Sequence, residues 1–194
     1  ELPTADVEFG FGGLAYNELL NIETLSGRFS GSGLAEAELS GHLSGGGIKV
    51  GEWRLESVTL SAKGSGADHT IGGELQMEEL QTVFGIRGGF ADPAVWSGKL
   101  EDFLLSSQLA GDWRLTDAAV ISLSEKLFQA KEVCVQSGGE SLCLAGGWSA
   151  ADQLWNAGVT WKSVDLAKIN TLRIMELPLE GTSDGELSLY GDSA

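Results

Sequence analysis

The chain has 194 residues, and its 28 acidic and 12 basic side chains give a formal net charge of -16 and a pI ≈ 4.3. A negative field of this size repels phosphate backbones and anionic membrane surfaces. We therefore expect neither nucleic-acid binding nor adsorption to such surfaces. Hydrophobic residues make up 42% of the chain and alternate with polar ones, which excludes intrinsic disorder.

Period-two alternation of apolar and polar residues runs through most of the chain, for example in residues 31–39, 73–78 and 184–190. Glycine pairs such as Gly12-Gly13 and Gly72-Gly73 provide turn positions where a positive φ is cheap. With 28 glycines and only 3 prolines, the composition favours tight antiparallel reversals over linkers. The pattern predicts an all-β fold of about a dozen strands or more, without a domain boundary in 1–194.

A short internal echo lies in the middle of the chain. Residues 51–57 read Gly-Glu-Trp-Arg-Leu-Glu-Ser, and residues 111–117 read Gly-Asp-Trp-Arg-Leu-Thr-Asp. Repetition of one stacked supersecondary unit would explain the match, and so would coincidence between two β-strands. Both explanations stay open.

The two cysteines, Cys134 and Cys143, flank a predicted β-hairpin with Gly138-Gly139 as its two-residue turn. Counting outward from that turn puts the cysteines directly opposite each other. They then form a non-hydrogen-bonded pair with Cα atoms about 4.5 Å apart, which suits a cross-strand disulfide. Two reduced cysteines or a metal pair are the alternatives, and the histidines supply no metal-ligand spacing. A structural disulfide indicates an oxidising compartment such as the bacterial periplasm or an extracellular space.

Alternation also predicts which face of this hairpin the disulfide occupies. Val133, Val135, Leu142 and Leu144 share one side of the hairpin, whereas both cysteines share the other, more polar side. The predicted bridge therefore lies behind the apolar face.

One segment departs from the strand pattern. Three apolar residues approach helical spacing there, namely Leu166, Ile169 and Leu172. Ser163 or Asp165 is available as an N-cap. We expect one short helix near 165–173, lying across one end of the sheet.

Candidates for chemistry are few. His42 and His69 are isolated in the sequence. The catalytic interpretation is a general base at His69 steered by Asp68, and the alternative, which the sequence favours, is a polar histidine on a strand face. The adjacent acids at 78–79 and 101–102 would point to opposite faces of a strand, so they do not form a catalytic carboxylate pair. No dinucleotide fingerprint or phosphate loop occurs. We therefore expect no enzyme activity, no cofactor and no metal site.

What remains is the apolar face of the predicted sheet. Alternation nominates as its lining Leu55, Val58, Leu60, Leu75, Met77, Leu100, Val133, Val135, Leu142, Leu144, Val159, Leu187 and Leu189. A bulge would shift any of these to the other face. The same pattern suits a closed sandwich core or an open groove, and by pattern alone it favours the core.

Several segments, taken together in order and spacing, carry a family resemblance. They are residues 66–71, 96–103, 111–115, Cys134, 142–148, 177–181 and 184–191. In these segments the chain resembles the TamB family, within the wider AsmA-like group. The first third matches only in general β character.

The resemblance implies a fold and a place in the cell. Members are similar to a long antiparallel-rich sheet curled into a trough, the β-taco, with an apolar concave face and a wetted convex face. They are anchored in the inner membrane and cross the periplasm. The chain, which begins at Glu1 and has no apolar run long enough to span a bilayer, is then expected to be an internal periplasmic segment whose anchor lies outside it.

The resemblance also implies a function. It favours an open groove over the closed sandwich core that the pattern alone would indicate. The family is linked to phospholipid transport toward the outer membrane, and its members engage a TamA-like outer-membrane barrel, here through regions outside this segment. The expected ligand is a phospholipid or another molecule with acyl chains. An assembly factor for outer-membrane or autotransporter barrels, acting by β-strand augmentation, is the alternative, and a structural β spacer is the third hypothesis.

Overall fold

The structure, a computed structural model, describes residues 4–16, 20–32, 38–92, 94–171 and 179–192. The strands are β1 (Thr4–Tyr16), β2 (Leu20–Ser32), β3 (Glu38–Val50), β4 (Trp53–Gly64), β5 (His69–Met77), β6 (Leu80–Asp92), β7 (Val95–Ser107), β8 (Gly111–Leu115), β9 (Ala119–Ser124), β10 (Leu127–Ser137), β11 (Glu140–Ser149), β12 (Leu154–Asp165) and β13 (Thr182–Asp192). The helix is α1 (Leu166–Thr171). The prediction of an all-β chain with a dozen or more strands is confirmed.

All of these strands belong to one curled antiparallel sheet, in which strands consecutive in sequence are neighbours in space. The exception is that β8 and β9 both pair with β7 and with β10. They therefore share one position in the sheet, as two halves of an interrupted strand. In the interruption, Thr116 donates its N–H and its hydroxyl to the Cys134 carbonyl at 3.0 and 3.2 Å. Within the described residues β1 and β13 each have one strand partner, so the sheet stays open.

The cysteine hairpin has the predicted register. β10 and β11 pair as Ser137 with Glu140 and as Val135 with Leu142, and Cys134 lies opposite Cys143. Gly138 in the turn has φ 59, a conformation that side chains with a Cβ seldom adopt. The two-residue turn at Gly138-Gly139 therefore determines the register of the whole hairpin.

Register shifts keep the apolar residues on one face where the sequence breaks strict alternation. Leu100 and Phe103 lie three residues apart in β7, yet they pair with Ile86 and Phe84, which lie two apart in β6. The extra residue in β7 is a β-bulge, which restores the phase of the apolar pattern. Corresponding shifts occur between Ala130 and Val133 in β10 and between Trp161 and Val164 in β12.

At one transverse row of β1–β4, by contrast, the apolar pattern changes face. Gly13, Glu23, Gly47 and Glu56 occupy this row by position, since the register pairs on both sides of it continue in step. β2 and β4 contain no left-handed residue and no register shift at this row, so alternation continues through them. Leu55, three residues from Val58, therefore lies on the opposite face from Val58. It is the one predicted lining residue that the register separates from the others.

The predicted helix near 165–173 is present as α1, and residues 172–173 lie outside the described ranges. Asp165 Oδ1 accepts the N–H of Ala167 at 2.9 Å, so Asp165 is the N-cap. The N–H of Leu166 donates to the Gly181 carbonyl at 2.9 Å, which ties the start of the helix to the segment that enters β13.

The accessible surface shows that the sheet is a single layer. The chain exposes 13222 Å² at a mass of 20.4 kDa. A compact monomer of that mass exposes about 8,800 Å². Among the described residues no large side chain is less than 2% exposed. The closed sandwich core that the pattern alone favoured is therefore absent from the described part of the chain.

Candidate functional site

The candidate site is the apolar face of the sheet, and the register brings nearly all of the predicted lining residues onto it. One row across four strands joins Val133, Leu144, Val159 and Leu187. Elsewhere Val58 lies opposite Leu75. Leu60, Met77, Leu100, Val135, Leu142 and Leu189 fall in phase with these rows. Leu55 lies on the opposite face, because it is three residues from Val58 in an uninterrupted strand.

Aromatic residues form a large part of this face, and the sequence-based list contains none of them. By register and alternation it carries all seven phenylalanines and every tryptophan except Trp53. Phe9 and Phe29 stack with their ring centroids 6.2 Å apart and their planes at 14°. These aromatic residues also alternate with polar residues in the sequence, so the same pattern could have predicted them on this face. The predicted lining contained aliphatic residues and Met77 only.

Several of these aromatic rings lie across a glycine on the neighbouring strand. Phe84 is paired with Gly73, and a Cβ on that glycine would stand 2.3 Å from Phe84 Cζ. Trp161 covers Gly185 in the same way, again at 2.3 Å. The other pairs of this kind are Phe9 with Gly27, Phe29 with Gly41 and Trp155 with Gly191. Because glycine has no side chain, each ring can lie flat on the sheet and leave the space above it open.

Exposure differs between the middle and the far end of this face. Val58 and Leu100 are only 7% and 8% exposed, because their neighbours on the curled sheet crowd around them. Leu144, Leu187 and Leu189 are 44%, 48% and 49% exposed. Within the described residues, the β11–β13 end therefore offers uncovered apolar surface to water.

A polar cluster around His69 interrupts the apolar face. Trp96 donates its indole N–H to His69 Nε2 at 2.8 Å, and the other ring nitrogen, Nδ1, lies 2.9 Å from the Ser65 carbonyl oxygen, which can accept a hydrogen bond from it. Both ring nitrogens are thus engaged. Asp68 was the predicted partner of His69 in a catalytic pair. Instead its carboxylate accepts two hydrogen bonds from the Arg87 guanidinium, at 3.0 and 2.8 Å.

The Arg87 guanidinium controls the charge of Asp68. Its hydrogen bonds, helped by its positive charge, hold the pKa of the Asp68 carboxyl below its usual value. The hydrogen bonds of the carboxylate therefore go to Arg87 rather than to the His69 ring. This arrangement positions Trp96 over Gly88 and Gly98 and offers no activated nucleophile.

At one margin of the apolar face, α1 lies over the sheet. Glu140 is 8% exposed, and its carboxylate accepts the Asp165 N–H at 2.8 Å and pairs with the ammonium of Lys168. Lys168 Nζ also lies 5.9 Å from the centroid of the Trp113 ring, which is 9% exposed. These contacts fasten the helix to β8 and β11, so the margin of the face is covered there.

The opposite face carries the disulfide. Cys134 and Cys143 are bonded with Cα atoms 4.0 Å apart, and Thr160 and then Glu186 continue their row across the sheet. Glu132 lies beside the two sulfurs. Because the sulfurs are bonded to each other, they cannot serve as thiolate ligands, and this group of three is not a metal centre.

Comparison with known proteins identifies the family of the chain. A family model described as TamB, N-terminal domain, matches residues 1–193. No curated protein matched, and no solved structure matched. The described residues contain no helix with the length and apolar character that a bilayer span requires.

Proposed function

Because this chain belongs to the TamB N-terminal domain family, we propose that it is a non-enzymatic periplasmic segment that carries phospholipid along its apolar face between the inner and outer membranes. The observation that supports this most is the single-layer sheet with uncovered apolar rows. A sheet whose apolar face has no second protein layer needs another apolar partner to shield it from water.

The dimensions of the face suit acyl chains. Its strands occupy twelve successive positions along the sheet, and at about 4.8 Å per step the face extends about 50 Å across the strands. One leaflet of hydrocarbon is about 15 Å thick, so a lipid tail fits at any of several places along this path. The headgroup would stay in water at the open side of the curl.

The chemistry of the face suits movement as well as binding. Each CH₂ group transferred from water to an apolar surface contributes about 0.8 kcal/mol, so a tail is held firmly. Flat aromatic rings over glycines such as Gly73 and Gly185 avoid protrusions along the path. Since the lining is apolar over many rows, neighbouring positions have similar affinity, and a tail can shift between them.

The first experiment asks whether lipid occupies the face. A photo-crosslinking amino acid placed at Leu187 or Leu189 should capture phospholipid, identified by extraction and mass spectrometry. The matched control is Tyr190, which directly follows Leu189 in β13, lies on the other face by alternation and is more exposed, at 85% against 48% and 49%. Crosslinks at Leu187 and Leu189 but not at Tyr190 support the proposal. Equal labelling at all three positions, or none, would show that the face is not a lipid site.

A second variant tests the path itself. Leu144→Asp introduces a carboxylate where the row of Val133, Val159 and Leu187 crosses β11. Loss of lipid capture at Leu187 is expected, because an ionised group among tails must be desolvated. The control is Ser141→Asp on the other face of the same strand, and circular dichroism checks that both variants fold.

The second candidate function is assembly of outer-membrane barrels by strand augmentation, and it has one favouring observation. Within the described residues β1 and β13 are open edges of 13 and 11 residues. Unpaired N–H and C=O groups on such an edge can accept a strand from another chain. This function predicts crosslinks from β13 to the backbone strand of a partner, unaffected by Leu144→Asp.

A further inference from the structure

A second apolar surface lies at one corner of the sheet, on the opposite face from the lipid path. We call it the outer tip, and it consists of Leu14, Tyr16, Leu20, Ile22, Ile48, Val50, Trp53 and Leu55. These residues form two adjacent rows across β1–β4, because Leu14, Ile22, Ile48 and Leu55 are register partners and so are Tyr16, Leu20, Val50 and Trp53.

The outer tip is unusually exposed for its composition. Trp53 is 74% exposed, Tyr16 66%, Val50 54% and Leu14 47%. Single exposed apolar residues are normal, but a contiguous cluster on four strands marks an interaction site. The row of Gly13, Glu23, Gly47 and Glu56, where the apolar pattern changes face, separates this cluster from the lipid path.

The other face of the same corner is polar and carries two cations. The row between the two apolar rows consists of Ala15, Asn21, Lys49 and Arg54. Arg54 reaches Glu23 at 3.3 Å, across Gly47, and both side chains are more than half exposed. The corner is therefore amphipathic, with aromatic and aliphatic side chains on one face and positively charged groups on the other.

The depth of the apolar zone points to the partner. From the terminal row at Trp53 to the glutamate row at Glu56 there are three residues, which at about 3.4 Å per residue make about 10 Å. Apolar faces that lie in a membrane interface enter the boundary between headgroups and acyl chains by about 5–10 Å, whereas a span needs about 30 Å.

We infer that the outer tip inserts obliquely into the interface of a phospholipid bilayer. The outer face would contact acyl chains, and Lys49 and Arg54 would contact phosphates. The net charge of -16 opposes strongly anionic membranes, so the partner is a bilayer of mainly zwitterionic lipid. The inference does not depend on the proposed lipid path, since it uses other residues on the other face.

The test is flotation of the whole chain with vesicles of phosphatidylethanolamine and phosphatidylcholine. We expect the protein to float and Trp53→Ser to lower its affinity for the vesicles at least about tenfold, because the variant loses the largest apolar side chain of the outer tip. Tyr190→Ser, at the more exposed tyrosine on β13, is the matched control and should float like the unmodified chain. Glu52→Gln in the β3–β4 turn should strengthen binding, since it removes a charge that must approach the lipid.

Three results would overturn the inference. The first is failure of the unmodified chain to float. The second is equal flotation of Trp53→Ser and Tyr190→Ser. The third is concentration-dependent dimerisation, seen by sedimentation and abolished by Trp53→Ser, since a second copy would then cover the tip. Leu144→Asp separates this inference from the proposed function, because it should leave flotation unchanged even where it prevents lipid capture.

Discussion

Removal of the Cys134–Cys143 disulfide gives the sharpest test of the sheet as described. The bond closes a short segment, with a sequence separation of 9. In the chain-entropy model a closed loop of about ten residues corresponds to about 2.7 kcal/mol at 25 °C. Because the bridge lies on the face away from the apolar rows, no cavity term is added to this loss.

The predicted effect of Cys134→Ala with Cys143→Ala is therefore a loss of about 2–3 kcal/mol in the free energy of unfolding. Urea titration followed by circular dichroism measures it. The matched control is the unmodified chain under reducing conditions, which should unfold at the same urea concentration as the double variant. Lipid capture at Leu187 should persist in both, since neither cysteine lines the apolar face.

Two outcomes would refute this reasoning. A loss above about 4 kcal/mol would mean that the cysteines also pack in a core, where truncation leaves a cavity. A loss below about 1 kcal/mol would mean that the Gly138-Gly139 turn and the strand pairing already hold the hairpin closed in the unfolded ensemble.

The remaining predictions concern one glycine and one partly buried ion pair. Gly73→Ala should destabilise the chain by about 1–3 kcal/mol in thermal unfolding, because the new methyl group meets the Phe84 ring. Phe84→Leu should restore part of the loss, and Gly10→Ala, where nothing lies within 4 Å, is the control expected to have little effect. Glu140→Gln or Lys168→Met alone should destabilise by about 1–2 kcal/mol, because each removes one half of the charge-assisted hydrogen bond that joins α1 to β11. The double variant should lose less than the sum of the two, and strict additivity would argue against a direct pair.

Predictions from local sequence were the ones that the structure confirmed. The Gly138-Gly139 turn is two residues long, so it determined every pair outward to the cysteines. The spacing near Leu166 likewise predicted α1, since helix periodicity and an Asp165 cap are local properties. The membership in the TamB family could also be read from segments spread along the chain.

Predictions of which face of the sheet each apolar residue occupies were less complete, because they require alternation to be followed along a whole strand. Leu55 and Val58 look equivalent in an apolar list, but they are three residues apart in an uninterrupted strand and face opposite sides. Leu100 and Phe103 are also three apart, and a bulge brings them to the same side. The sequence does not mark which of these two outcomes applies, because a bulge depends on the partner strand.

The two similar segments, 51–57 and 111–117, also show that local sequence does not determine the environment of a side chain. Trp53 and Trp113 occupy the same place in two nearly identical segments, and both segments begin at a glycine with positive φ. Yet Trp53 is 74% exposed at the outer tip, whereas Trp113 is 9% exposed beneath Lys168. An equal local pattern therefore leads to different environments when the neighbouring strands differ.

Alternating strands, glycine turns, the short helix and the opposed cysteines can all be predicted from the amino-acid sequence, because each depends on neighbours a few residues away. The fold is needed to show that the strands form one layer, that aromatic rings lie over glycines of the next strand, and that apolar residues change face at Glu23 and Glu56. Burial and facing depend on the register between strands and on what covers the sheet. Neither is encoded in the alternation of a single strand.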